Sequence, residues 1–214
     1  MSQTEWFRRS TWSDADREDF NARLQRSRGA GNKAQYLRIQ ARHLADAGNH
    51  AAAVELLNRL FAEFPQRIEL AQAHAQRAES IANLGQLDAA IQEYRVALQT
   101  ERDAPNVRTN AWLDFGWLVV DRQLTDYYDE VSQVLREFRH EGGLRFPAIE
   151  FRYAAIQAQL ADYRGDKARA REFARQALAE AAKEHTGLRY HPTIGLDDSE
   201  SNAVANRLRT LAGS

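Results

Sequence analysis

Apolar residues return every three or four positions along most of this chain. Tyr36, Leu37, Ala41 and Leu44 form one such series, and Leu56, Leu57, Leu60, Phe61 and Phe64 another. That step places each series on one face of an α-helix, and no stretch shows the strict alternation of a half-buried strand. Ala, Leu, Arg, Gln and Glu fill the intervals, while only 4 Pro and 11 Gly interrupt them. Those are the residues that lose least on entering a helix, so the pattern predicts long helices joined by short turns.

The first predicted helix opens at Ser13, a hydroxyl N-cap with Asp16 in the first turn, and runs to about Ser27 with Phe20 and Leu24 on one face. Gly29 to Asn32 is expected as a loop before the next helix. At the far end, residues 186–198 lack helical periodicity and read as an ordered loop or strap. Ser199 is placed to cap a last short helix carrying Val204, Leu208 and Leu211.

Between these ends the pattern repeats. Residues 34–65 hold Leu37, Ala41 and Leu44 on a first helix, Gly48 at a turn, then Ala53, Leu57 and Leu60 on a second helix ended by Pro65. Small residues such as Ala41 and Ala53 suit the closest approach of two helices. Gly48 accepts the left-handed backbone that ends a helix, and Pro65 lacks the amide that would continue one. A second unit places Ala78, Ile81, Gly85, Ala90, Tyr94, Ala97 and Leu98 in the same slots, and another places Ala154, Ala158, Ala161, Gly165, Ala170, Ala174 and Ala177 there. A third, less regular unit carries Trp112, Phe115, Gly116 and Val119 without a turn glycine. There RQLTDYYDE is read as holding about two extra residues, hence a longer turn, ahead of Val131, Leu135 and Phe138.

The segments NLGQLDAAIQEYRVAL and RGDKARAREFARQAL, with the Trp112 to Val119 spacing, resemble the bacterial tetratricopeptide-repeat (TPR) proteins over roughly residues 34–182. The starts at Ala34, Ala71, Thr109 and Phe151 lie 37, 38 and 42 residues apart, so helices or loops exceed the basic 34-residue period. The fold this implies is all-α, an α-α superhelix (TPR-like solenoid) of about four helix-turn-helix repeats with N- and C-terminal capping helices. Residues 1–33 supply the first cap, 34–185 the repeats (34–67, 71–104, 109–145 and 151–184), and 186–214 the C-terminal loop and cap.

The resemblance also implies where binding occurs. In that family the first helix of each repeat lines a concave groove that holds extended or helical partner segments. Transferred to this chain, the groove positions are Gln35, Arg38 and Arg42, then Gln72, Ala75 and Glu79. The later repeats supply Asn110, Leu113 and Trp117, then Arg152, Ala155 and Gln159. Arg38 and Arg42 stand four apart on one helix face, suited to an acidic peptide, with Asn110 and Arg152 as further donors. The competing reading pairs these arginines with Glu79 and Asp114. Trp117 is either an interface anchor or buried against the fourth repeat or the C-terminal strap. The Lys and Asn pattern of the family's carboxylate clamp is absent.

Composition narrows the chemistry. There is no Cys, so neither a disulfide framework nor a thiolate site exists. Lys plus Arg number 29 against 30 for Asp plus Glu, a net charge of −1 that gives no broad footprint for nucleic acid. Arg8 and Arg9 have no apolar run behind them, so neither a signal peptide nor a membrane span is expected, and the chain reads as cytoplasmic. Trp6, Phe7 and Trp12 beside those arginines either dock onto another chain or fold back over the first helices. The sequence contains no phosphate loop, dinucleotide turn, nucleophile elbow or HExxH spacing, and implies no cofactor.

The leading expectation is therefore a non-enzymatic scaffold for a protein or peptide, acidic for preference, with homodimerisation through a Trp-rich end as an option. A dedicated chaperone, antidote or regulator of one cognate partner is the alternative. A further alternative is metal-dependent or hydrolytic activity at EHTGLRYHP (residues 184–192) with Asp197 and Asp198.

Overall fold

The structure, a computed structural model, describes residues 6–139, 146–183 and 202–213. Among the described residues the regular structure is helical, with no strand, and successive helices pack as neighbouring pairs. The chain divides into two compact units, Met1–Ala111 and Trp112–Ser214.

In the first unit the helices are α1 (Asp14–Arg26), α2 (Ala30–Asp46), α3 (His50–Glu63), α4 (Arg67–Asn83) and α5 (Leu87–Asp103). Ser13 caps α1 in a capping box: its hydroxyl accepts from the Asp16 amide, and the Asp16 carboxylate accepts from the Ser13 amide at 2.9 Å. Hydrogen bonds from the Ser13 backbone and side chain, then from Arg9, hold Asp16 well below the usual carboxylate range. The loop expected from Gly29 to Asn32 is instead the first turn of α2, with Gly29 as its N-cap at φ +80°. Helices α2 and α4 both run 17 residues and begin four positions before the predicted starts at Ala34 and Ala71, so their separation stays at 37 residues.

Residues Trp6 to Trp12 fold back over α1 and α2. The Gln40 amide, fully enclosed, accepts from the Arg9 backbone N–H at 3.0 Å and donates to the Arg9 carbonyl at 2.8 Å. The Arg9 guanidinium reaches Asp16 and Asp19. The Trp6 ring lies 5.3 Å from Phe20 and 5.0 Å from Tyr36, and Phe7 lies 4.6 Å from Tyr36. The aromatic cluster named in the sequence thus covers the start of this unit's core.

The second unit contains α6 (Ala111–Asp121, its first residue falling in the first unit), a 3₁₀ turn over Thr125–Tyr127, α7 (Tyr128–Phe138), α8 (Pro147–Tyr163), α9 (Lys167–Ala181) and α10 (Asn202–Gly213). Pro147 opens α8, where its missing N–H costs nothing. Val204 and Leu208 of α10 are buried in one cluster with Phe151, Ala155 and Ala158 of α8 and Ala174 and Ala177 of α9. Arg207 of α10 also donates to the Val120 carbonyl of α6 at 3.1 Å. Ser199, the expected cap, lies outside the described residues.

One turn recurs four times. After α2, α4, α6 and α8, the residue two beyond the helix end takes a left-handed backbone: Gly48, Gly85, Gln123 and Gly165. The following amide bonds back to the carbonyl five residues earlier, Asn49 to Leu44, Gln86 to Ile81, Leu124 to Val119 and Asp166 to Ala161, at 2.8, 3.1, 2.9 and 3.0 Å. This is the Schellman closure, in which a left-handed residue lets the chain satisfy the last helical carbonyls.

Counted from the left-handed residue, the buried positions coincide. Five residues on stand Ala53, Ala90, Tyr128 and Ala170, and twelve on stand Leu60, Ala97, Leu135 and Ala177, all buried. The third unit therefore has no inserted residues in its turn, contrary to the sequence expectation. Its second helix simply begins as a 3₁₀ turn at Thr125 before α7. Seven residues before the turn stand Ala41, Ala78, Gly116 and Ala158. Gly116 leaves room for its neighbours: a Cβ there would meet Ile156 Cδ1 at 3.0 Å and Val131 Cγ1 at 3.3 Å.

Candidate functional site

An open cleft of about 580 Å³ lies in the first unit between the outer faces of α2 and α4 and the connection after α5. Helix α2 presents Arg38 and Arg42, one turn apart, and α4 presents Glu69, Gln72 and Gln76. The remaining wall comes from Asn106, Val107, Arg108 and Thr109, with Ile68 at the lip. Ile68 is 68% exposed, the most open large aliphatic side chain among the described residues.

The connecting segment is fixed from below. Thr109 Oγ1 bonds to the buried Glu101 carboxylate and also accepts from the Ala111 amide at 3.0 Å, while the Val107 amide bonds to the Ala104 carbonyl at 2.8 Å. Arg67 at the start of α4 donates to the Asp103 carbonyl at the end of α5. These contacts hold residues 104–109 beside α4, where they complete the cleft.

Three guanidinium groups and one carboxylate line the cleft, and two further carboxylates, Asp46 and Glu79, stand against Arg42. Each α2 arginine already has acidic neighbours. Arg38 pairs with Glu69, and Arg42 bonds Asp46 at 2.8 Å and Glu79 at 2.9 Å. The pairing reading of these arginines holds to that extent, with Glu69 as a partner the sequence had not singled out. Pairs as exposed as Arg42 with Glu79 contribute little stability, and a guanidinium has five N–H donors, so such pairing leaves capacity for a ligand.

The other transferred positions separate. Gln72 lines the cleft and Glu79 stands beside it through Arg42. Gln35 is exposed on α2. Asn110 is exposed but precedes α6, so it lies on the connection rather than on a helix. Leu113, expected to face a partner, is fully enclosed in the second unit, because an apolar side chain at that register is drawn into the core. Ala75, at the same register, is 3% exposed and Ala155 is fully buried beneath the cluster shared with α10. Gln159 is 9% exposed, again a packed position and not an open one.

Trp117 packs at the edge of that cluster, its ring 5.8 Å from Phe151, with the Arg152 guanidinium 5.1 Å above it. Arg152 also donates to Asp114 at 2.7 Å. In the second unit, then, Trp117, Arg152 and Asp114 satisfy one another. Arg108, Val107 and Asn106 were missed in the sequence reading because they follow Pro105 in a connection, outside the helical frame that the repeat pattern defines.

Among the described residues no group of three His, Asp or Glu side chains is placed to hold a metal ion, and no helix is long and apolar enough to cross a membrane. His185, His191, Asp197 and Asp198 of the alternative catalytic or metal site lie outside the described residues, as does the 186–198 strap. No protein family, curated protein or solved structure that was compared matches this chain.

Proposed function

We propose that this chain is a tetratricopeptide-type repeat protein that acts as a non-enzymatic, cytoplasmic scaffold, holding a segment of another protein against the first helices of its repeats. The recurrent left-handed turn and its conserved burial register support the repeat assignment. The observation that carries the binding role is the cleft of about 580 Å³, in which Arg38, Arg42 and Arg108 outnumber Glu69. A volume of that size is in the range that accommodates ligands, and guanidinium groups, with more N–H donors than their ion pairs use, favour carboxylates.

The test is affinity copurification on wild type and on the double variant Arg38→Glu, Arg42→Glu, with bound proteins identified by mass spectrometry and remeasured as purified pairs. A partner held by wild type and weakened at least about tenfold by the charge reversal, some 1.4 kcal/mol, is the expected result. Partners retained equally by both forms would remove the cleft from the binding role.

A further inference from the structure

The contacts that hold residues 6–9 on α1 and α2 are those of a peptide-reading site. A side-chain amide carries one acceptor and two donors, so it can pair with the backbone N–H and C=O of almost any residue. Gln40 does this with Arg9, at 3.0 and 2.8 Å, and so reads the chain and not the side chain. Selection comes from the surroundings. Trp6 packs against Phe20 and Tyr36, Phe7 packs against Tyr36, and the Arg9 guanidinium bonds Asp16 at 2.7 Å and reaches Asp19.

This strap can leave without dismantling the helices beneath it. Ser10 and Thr11, both exposed, separate it from Trp12, which stays on α1 with its ring 5.4 Å from Phe20 and beside Arg17. When Arg9 departs, Asp16 keeps the Ser13 capping box and Asp19 keeps Arg23 at 2.9 Å. What opens is the Gln40 amide and the rings of Phe20 and Tyr36. An unpaired amide and bare aromatic surface are both relieved by a second segment of the same chemistry.

We propose that this face of α1 and α2 is a binding site for a segment of another protein carrying two adjacent aromatic residues and an arginine two positions after them, and that residues 6–9 are its intramolecular occupant. Neither Gln40 nor the two aspartates lines the cleft between α2 and α4, so the two sites are distinct. The partner competes with a tethered rival, and its apparent affinity falls by the fraction of chains in which the strap is open.

The probe is the synthetic peptide WFRRST, residues 6–11 of this chain, carrying a C-terminal fluorophore. It is titrated by anisotropy against the full-length wild type, a strap-disarmed variant (Trp6→Ser, Phe7→Ser, Arg9→Ser), and that variant with Gln40→Leu added. The disarmed variant should keep its helical far-ultraviolet spectrum and bind the peptide about tenfold tighter than wild type, or more, because its tethered competitor is gone. Adding Gln40→Leu to the protein, or Arg9→Glu to the peptide, should each weaken binding about tenfold.

In wild type, hydrogen exchange should find the Arg9 amide exchanging about tenfold faster, or more, than those of Ala41 and Leu44 in α2. Equal binding by all three proteins, equal binding of both peptides, or no binding to the disarmed variant overturns the site and leaves the role of the cleft standing. A disarmed variant without its helices, or an Arg9 amide that exchanges only in step with α2, shows that the strap belongs to the core and overturns its release.

Discussion

At the level of single residues, the first unit holds a partly buried charge group around Glu93 on α5. Its carboxylate accepts from Arg77 Nε at 2.8 Å and lies 2.9 Å from His74 Nδ1, while the His74 ring stacks 4.2 Å from Phe61. Arg77 also donates to Asn58 at 2.7 Å and lies over the Phe61 ring. Burial alone would push Glu93 up, but the hydrogen bonds from His74 and Arg77 outweigh it and leave the carboxyl below its ordinary 4.5.

A depressed carboxyl stabilises the fold above its unfolded-state value, and that contribution disappears as pH falls through the lower folded-state value. Glu93→Gln should therefore cost stability at neutral pH, about 1–3 kcal/mol for lost charge-assisted bonds. The gap to wild type should narrow below pH 4.5. Urea midpoints of both proteins across pH 3 to 7 would check this, and a gap independent of pH would refute it. This grouping was not legible in the sequence: His74 and Arg77 lie three apart on α4, but Glu93 is on α5, and only the packing of α4 on α5 brings the carboxylate to them.

At the level of elements, much was legible. Capping by Ser13, the turns at Gly48, Gly85 and Gly165, and the stop at Pro65 are local signals whose mechanism acts within a few residues, and the structure places all of them as expected. The third turn was misread because Gln123 takes φ +53° with no glycine to announce it. The burial register alone reveals that the turn has the same length as the others. A side chain with a Cβ costs roughly 1 kcal/mol or more in this conformation. Gln123→Gly should thus stabilise the chain by about 0.5–1 kcal/mol after the entropy lost to a freer unfolded chain is counted. The readout is the urea midpoint at unchanged slope. A destabilised variant would mean that the Gln123 side chain makes a contact outweighing the backbone strain.

For the molecule as a whole, the repeat spacing led directly to an all-helical chain, but it could not divide the transferred groove positions into open and enclosed. That division depends on what packs over each helix. Ala155 is covered because α10 joins its cluster, whereas Arg38 is left beside a cleft because the connection at 104–109 stops short of filling it. The cluster running from Phe20 to Ala73 lies wholly within the first compact unit. A fragment of residues 1–110 should therefore give a helical far-ultraviolet spectrum and a cooperative urea transition with a slope of about 1 kcal/mol per molar. A broad, non-cooperative loss of signal would show that this core depends on the remainder of the chain.

The clasp between Gln40 and the Arg9 backbone has a further consequence for the order of events during synthesis. Residues 6–12 leave the ribosome before α2, and the amide that holds them sits some thirty residues later, on a helix not yet made. At about 5–20 residues per second, Trp6, Phe7 and Trp12 remain uncovered for a few seconds on every nascent chain. Any factor that greets emerging aromatic segments meets this protein there, before α2 exists to claim them.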